Sequence, residues 1–191
     1  MKELITKIKN SITLNPEAEE HLYSISKERE FKKGVFLIRQ GEVVKKTYFV
    51  RRGCLRSYCI DKNGKEHTLQ FAIKDWWISD FIAIYNNEPA TLSVECITDS
   101  AVIEFEATAL EEIHTLFPEF ETFQRKNLER HVVSLHKRIL NQLQLSAQGR
   151  YALFLKQYPD IEHYTPNYHI ASYLGITQQS LSRIRVDQSK H

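Results

Sequence analysis

Apolar positions Leu4, Ile5, Ile8 and Ile12 recur at helical spacing, and Asn15-Pro16-Glu17 opens a second helix with Asn15 as its cap, so residues 1 to about 30 read as helical. From Phe31 the period changes. Val35–Ile38, Thr47–Val50, Leu55–Ile60 and His67–Phe71 are short runs rich in β-branched and aromatic residues. Gln40-Gly41-Glu42, Arg52-Gly53 and the Asn63-Gly64 hairpin marker punctuate them. After Asp75-Trp76-Trp77 a short helix is predicted over Ser79–Tyr85, then strands over Thr91–Ile97 and Ala101–Phe105. Helical spacing returns at Thr108, and residues 119–143 form the longest predicted helix, in which Leu128, Val132, Leu135 and Ile139 step by four, three and four. This is an α+β chain whose many short strands imply an antiparallel sandwich or barrel.

The last segment carries the sharpest pattern. Counting from Asn167, apolar Ile170, Leu174, Ile176, Leu181 and Ile184 fall where two short crossed helices bury side chains, with Ala171 small at their close approach. Gly175 can take positive φ and end the first helix, and Thr177 can cap the second. The outward face of that second helix then holds Gln178, Gln179, Ser182 and Arg183. Gln suits an adenine edge and Arg suits guanine, so these residues are expected to read bases in a major groove, with Thr177, Ser180 and Arg185 touching the DNA backbone. An ordinary helical hairpin is the plainer alternative, but it needs neither Gly175 and Thr177 at the turn nor an uncharged polar face followed by Arg183 and Arg185.

With 191 residues and 42% hydrophobic content the chain can bury a core in one large and one small domain. No apolar run reaches the roughly 20 residues of a bilayer span and the first residues lack a secretory pattern, so a cytoplasmic protein without membrane association is expected. Cys54, Cys59 and Cys96 lie outside any CxxC pattern and read as reduced thiols in strands, with no metal site. Net charge of +2 is uninformative, but Arg125, Lys126, Arg130, Lys137, Arg138, Arg150 and Lys156 face a single acid, Glu129, over residues 125–156. Single histidines such as His67, His114, His131, His136 and His169 read as satisfied side chains. Trp76 and Trp77 read as core or domain-interface anchors rather than stacking platforms. Enzymatic motifs, among them His-Glu-x-x-His and Gly-x-Ser-x-Gly, do not occur, so no catalysis is expected.

The order of these parts resembles the cyclic-AMP receptor and fumarate-nitrate regulator (Crp/Fnr) family of bacterial transcription factors. The resemblance rests on Leu37–Glu42, Phe49–Gly53, Asn63-Gly64-Lys65, Asp75–Tyr85 and the terminal motif. It is nearest to Bacteroidetes-type members in Gly53–Tyr58, Asp75–Asp80 and His169–Thr177. It implies a cyclic-nucleotide-binding-like β-roll (double-stranded β-helix or jelly roll) over residues 1–117. A dimerisation helix over 118–143, with Leu128, Val132, Leu135 and Ile139 as seam, and a helix-turn-helix domain lacking a full wing over 144–191 follow. Double-stranded DNA, a second copy of the chain, RNA polymerase and a small-molecule effector are the implied partners.

The resemblance also carries a ligand test. Cyclic-nucleotide binders of the family hold the phosphate at a short helix opening Gly-Glu-Leu and at an Arg-Ser/Thr pair some ten residues on. The matching positions are Ser79-Asp80-Phe81 and Ala90-Thr91, leaving Ser79, Asp80, Ala90 and Thr91 as pocket candidates: Asp80 to accept from a ribose hydroxyl, Thr91 to donate to an oxygen. The guanidinium that would neutralise a buried phosphate is missing, so no cofactor is expected and the effector is expected to be something other than cyclic AMP. The alternative from another class is a small-molecule-binding or protein-interaction module that has lost sequence-specific DNA binding.

Overall fold

A computed structural model describes residues 1–188, so Ser189, Lys190 and His191 of the expected third domain lie outside the described residues. Two helices open the chain, α1 (Lys2–Lys9) and α2 (Pro16–Ser24), and Asn15 caps the second by accepting from the Glu17 N–H at 2.9 Å. The helical reading fails beyond them. Residues Ser26–Phe31 form strand β1, paired antiparallel along its length with β8 (Ser100–Glu106). The segment Lys27-Glu28-Arg29-Glu30 is exposed on an edge strand held by main-chain pairing, so it carries none of the apolar alternation that marks a half-buried strand.

The remaining strands are β2 (Phe36–Ile38), β3 (Lys46–Arg52), β4 (Leu55–Ile60), β5 (Glu66–Ala72), β6 (Trp77–Ile78) and β7 (Ser93–Cys96). They form two four-stranded antiparallel sheets, β1-β8-β3-β6 and β2-β7-β4-β5, a β-roll that does not close into a barrel. Between the sheets lie Tyr48, Val50, Leu55, Ile78, Val94 and Val102. On the outer face of the first sheet, Phe49, Ile103 and Phe105 pack under Leu4, Ile5, Ile8 and Leu22 of the N-terminal helices. Strands β3 and β8 are thus buried on both faces, which is why they read as unbroken apolar runs. The turn into β4 requires glycine: at Gly53 φ is +92°, and an added Cβ would stand 2.6 Å from the Asp99 carbonyl oxygen and collide with Ser100 Oγ.

Helix α3 (Phe81–Asn86) connects β6 of one sheet to β7 of the other, α4 (Ala107–Leu116) follows β8, and α5 (Glu119–Gln144) is the long helix where the heptad-like spacing predicts it. Phe120 and Phe123 anchor its start in the same core as α1 and α2, and Lys126 Nζ donates to the Ser11 carbonyl at 2.8 Å. Helix α6 (Ala147–Gln157), a short 3-10 turn (Ile161–His163), α7 (Asn167–Leu174) and α8 (Gln178–Gln188) complete the described chain. Their core does not stand apart from the roll. Tyr151, Phe154, Tyr158, Ile170, Tyr173 and Leu181 form one cluster with Cys54, Phe71 and Ile97. Trp76 reaches into it at 5.8 Å from the Tyr158 ring, and Trp77 packs on Phe49 and Phe105, both serving as anchors. Burial pushes the Cys54 and Cys96 thiols up to about 12 and about 11.

Candidate nucleic-acid interface and effector corner

Helices α7 and α8 cross at a turn built as its residues dictate. Gly175 takes φ +68° and donates to the Ser172 carbonyl at 3.2 Å, and the Ile176 N–H returns to Ala171 at 3.0 Å, so the last carbonyls of α7 are satisfied. Thr177 Oγ1 accepts from the Ser180 N–H at 3.1 Å and lies 3.0 Å from Ser180 Oγ, which caps α8. Ile170, Ala171, Leu174 and Leu181 are buried, with Ile176 and Ile184 packed against them. Gln178, Gln179, Ser182 and Arg183 are all exposed on the outward face of α8. A helix N-terminus carrying neutral hydrogen-bonding side chains and one arginine is complementary to a groove lined by phosphates.

Arg185 is placed differently from its neighbours. Its guanidinium pairs with Glu162, donates to Tyr151 Oη at 3.0 Å and to Asn167 Oδ1 at 2.6 Å, and so ties α8 to α6, the 3-10 turn and the start of α7. Among the predicted contact residues it is the one the structure turns inward.

No local pattern in the chain predicts that α7 is docked on the roll. Ser172 Oγ accepts from the Thr68 N–H and donates to the Glu66 carbonyl, both at 2.8 Å, so one hydroxyl completes the edge of β5 as a further strand would. Beside it Arg56, 1% exposed, stands 2.7 Å from both Glu66 and Glu95 and stacks at 3.9 Å over the Tyr58 ring. His169 of α7 completes this group at 3.8 Å from Glu95 and 4.0 Å from Glu66. Burial, with the Arg56 charge behind it, lowers the His169 ring to about 3, and burial raises the Glu95 carboxyl despite Arg56. Arg138 of α5 adds bonds to the carbonyls of Thr68 (3.1 Å) and Tyr173 (3.2 Å). The bonds that tie α7 into this group join residues 35 to 106 apart in the chain, beyond the reach of any local pattern.

The corner where a cyclic nucleotide's phosphate would lie is filled from within. Asp80 is fully buried and caps α3, its Oδ1 accepting from the Ala83 N–H at 3.1 Å. Its Oδ2 accepts from the Thr91 N–H (2.6 Å), Thr91 Oγ1 (2.9 Å) and the Leu92 N–H (2.8 Å). Ser79 Oγ donates to the Lys46 carbonyl at 2.7 Å, and Ala90 is buried with its amide and carbonyl bonded to Glu42 and Gly41. The four predicted pocket residues are therefore brought together, but against one another. The donors that would hold a phosphate are already spent on a carboxylate, and a second anion there would meet it without a cation. These residues do not fit a cyclic nucleotide.

On α5 the seam residues Leu128, Val132, Leu135 and Ile139 are 38–56% exposed, an apolar stripe that the chain does not cover with its own side chains. No helix among the described residues is long and apolar enough to cross a membrane.

Comparison with known proteins agrees with this architecture. Residues 28–115 match the family described as the cyclic nucleotide-binding domain. The chain is 24% identical over 185 residues to the transcriptional activator protein Anr of Pseudomonas protegens, covering 91% of this chain and 75% of that one. FixK2 from Bradyrhizobium japonicum superposes with a TM-score of 0.73 at 17% identity, over 87% of this chain and 85% of that one. A regulator from Eubacterium rectale assigned to the Crp/Fnr family gives 0.71 at 18% identity, over 93% and 85%.

Proposed function

We propose that the chain is a regulator of the Crp/Fnr type, a homodimeric, cytoplasmic transcription factor in which α8 reads duplex DNA, a reading supported by the match of its roll to the cyclic nucleotide-binding domain and by its likeness to transcriptional activators. The observation that carries this reading is the face of α8: Gln178, Gln179, Ser182 and Arg183 stay exposed while Ile170, Leu174, Ile176, Leu181 and Ile184 are turned inward. In this reading Gln178, Gln179, Ser182 and Arg183 meet base edges, and Thr177 and Ser180 meet phosphates. Arg185 acts on the fold of the motif. The exposed stripe on α5 pairs with that of a second chain, which places two recognition helices on two half-sites. In this reading RNA polymerase is a further partner, which the naming of relatives as transcriptional activators supports. The roll acts as a sensor without cyclic AMP, because Asp80 occupies the phosphate corner.

Selection of the purified protein against a random duplex library tests the reading. The expected result is a palindrome with half-sites about one helical turn apart, and Arg183→Ala should relax one base pair by about 1–3 kcal/mol. Recovery of no motif would favour an interaction module that no longer reads DNA. Micromolar binding of cyclic AMP in calorimetry would overturn the sensor assignment.

A further inference from the structure

Below the helix-turn-helix, the roll, α5 and α6 enclose a cleft of about 690 Å³, within the roughly 300–1,000 Å³ that small-ligand pockets span. One wall is aromatic, formed by Trp76, Tyr158 and Tyr173. The other holds cations, Lys137 and Arg138 from α5 and Arg150 and Lys156 from α6. The acid among the lining residues is Asp80, whose two oxygens are already committed to α3, Thr91 and Leu92.

The cations divide into two kinds. Arg138 and Arg150 donate to carbonyls, Arg138 to Thr68 and Tyr173, Arg150 to Leu145 (2.8 Å) and Leu174 (3.3 Å), so their charges are fixed in the wall. The Lys137 and Lys156 ammonium groups make no hydrogen bond or ion pair among the described residues, and both side chains are exposed. Four cations around a concavity, against the single buried carboxylate of Asp80, leave a net positive potential that concentrates anions there. None of the exposed recognition residues of α8 lines this cleft, so the charge is not a continuation of the base-reading face.

We propose that this cleft, which borders the filled phosphate corner at Ser79 and Asp80 and extends from it toward α6, receives the effector at its cationic end, and that the effector is a small organic anion. Its planar or apolar body would lie on Trp76, Tyr158 and Tyr173, and its phosphate or carboxylate would face Lys137 and Lys156. The proposal rests on the regulator reading for the word effector, and on the cleft alone for the binding. Because the walls come from the roll, the long helix and the helices that carry the DNA-binding motif, an occupant has different contacts when α7 is docked and when it is not. That difference is what an allosteric ligand requires.

Pyridoxal 5′-phosphate is a suitable probe, since it joins an aromatic ring to a phosphate and carries an aldehyde. The aldehyde condenses with a lysine amine to an imine, releasing water, and borohydride reduces the imine to a secondary amine that peptide mapping locates. Labelling of the full chain should saturate on Lys137 or Lys156 and be blocked by inorganic pyrophosphate. The K137Q/K156Q double variant should lose labelling at the cleft while melting at the wild-type temperature, and its dissociation constant for the probe measured by Trp fluorescence should rise about tenfold or more. Label spread evenly over surface lysines, or equal probe affinity in the two proteins, would overturn the proposal. The double variant should also bind the selected duplex with unchanged affinity and salt slope. A weaker complex with a shallower slope would place these lysines against DNA phosphates and overturn it as well. If the wild-type protein selects no duplex at all, the regulator reading falls while the labelling result still decides the ligand site.

Discussion

Replacing Asp80 by Ala removes an acceptor from four hydrogen bonds at once. The Thr91 hydroxyl can turn to another partner, but the amides of Ala83, Thr91 and Leu92 are fixed by the backbone, and Ala83 and Leu92 are buried at 3% and 8% exposure. An orphaned buried amide costs about 1–3 kcal/mol, so three of them set a range of about 3–9 kcal/mol, and local relaxation draws the outcome to the lower part. The expected loss is about 3–5 kcal/mol, a large share of the ~5–15 kcal/mol that holds a domain together. Asp80→Asn keeps the shape but turns an amide donor toward other donors whichever way it is flipped, so it should recover less than half of the loss. Urea unfolding of the full chain measures both, with an unchanged slope showing that the folded state has kept its compactness. Asp80→Ala within about 1 kcal/mol of wild type would refute the claim that this carboxylate serves as the internal anion of the corner.

Four further substitutions test other parts of the structure. Ser172→Ala leaves the Thr68 amide and the Glu66 carbonyl without the hydroxyl they share, so hydrogen exchange at β5 and α7 should quicken, with about 1–3 kcal/mol lost locally; unchanged protection at Thr68 would refute the docking. His169 is lowered from its ordinary 6.5 to about 3, so the unfolded chain binds the proton more readily. Its contribution is fully present above about pH 6.5 and is lost as pH falls toward 3, by up to about 1.4 kcal/mol per unit, while the raised Glu95 carboxyl acts with the opposite sign above its own ordinary value. The melting temperature should therefore drop from pH 7 to pH 5, and His169→Gln should flatten that slope; parallel slopes would exclude His169 as the cause. Gly53→Ala meets both positive φ and a backbone oxygen at 2.6 Å and should cost several kcal/mol, whereas Gly64→Ala has positive φ with open space around it and should cost about 1 kcal/mol in the same melt.

What could be read from the sequence was whatever is encoded locally. The Asn15 cap, the Asn63-Gly64 hairpin, the Gly175 turn and the Thr177 cap each act within a few residues of themselves, and each stands where the sequence predicts it. The double burial of β3 and β8 preserved their apolar runs. Strand β1 was missed because its stability lies in main-chain pairing with β8, which Lys27-Glu28-Arg29-Glu30 does not advertise. Asp80 was singled out as a pocket residue, but the partners that consume it are backbone amides, present at every position and therefore invisible in the side-chain pattern. His169, read as one of several isolated histidines, proves to be the α7 member of a buried charge cluster whose other members come from β4, β5 and β7.

The docking of α7 also restricts how such a regulator could be controlled. A lock that works by hiding the DNA-reading surface would have to bury α8, yet Gln178, Gln179, Ser182 and Arg183 are exposed with α7 held on β5. Docking fixes where α8 points relative to the roll and to α5, because Arg138 holds β5 and α7 from one position on the long helix. In the proposed dimer the two recognition helices must enter successive major grooves about 34 Å apart, and a rotation of each motif about its attachment to β5 alters that spacing without changing any base-reading residue. Control by spacing rather than by concealment follows. A ligand in the cleft between α5, α6 and the roll acts at the joint that sets it, and needs only to favour one orientation of α7 over another by the few kcal/mol that one serine and one arginine contribute there.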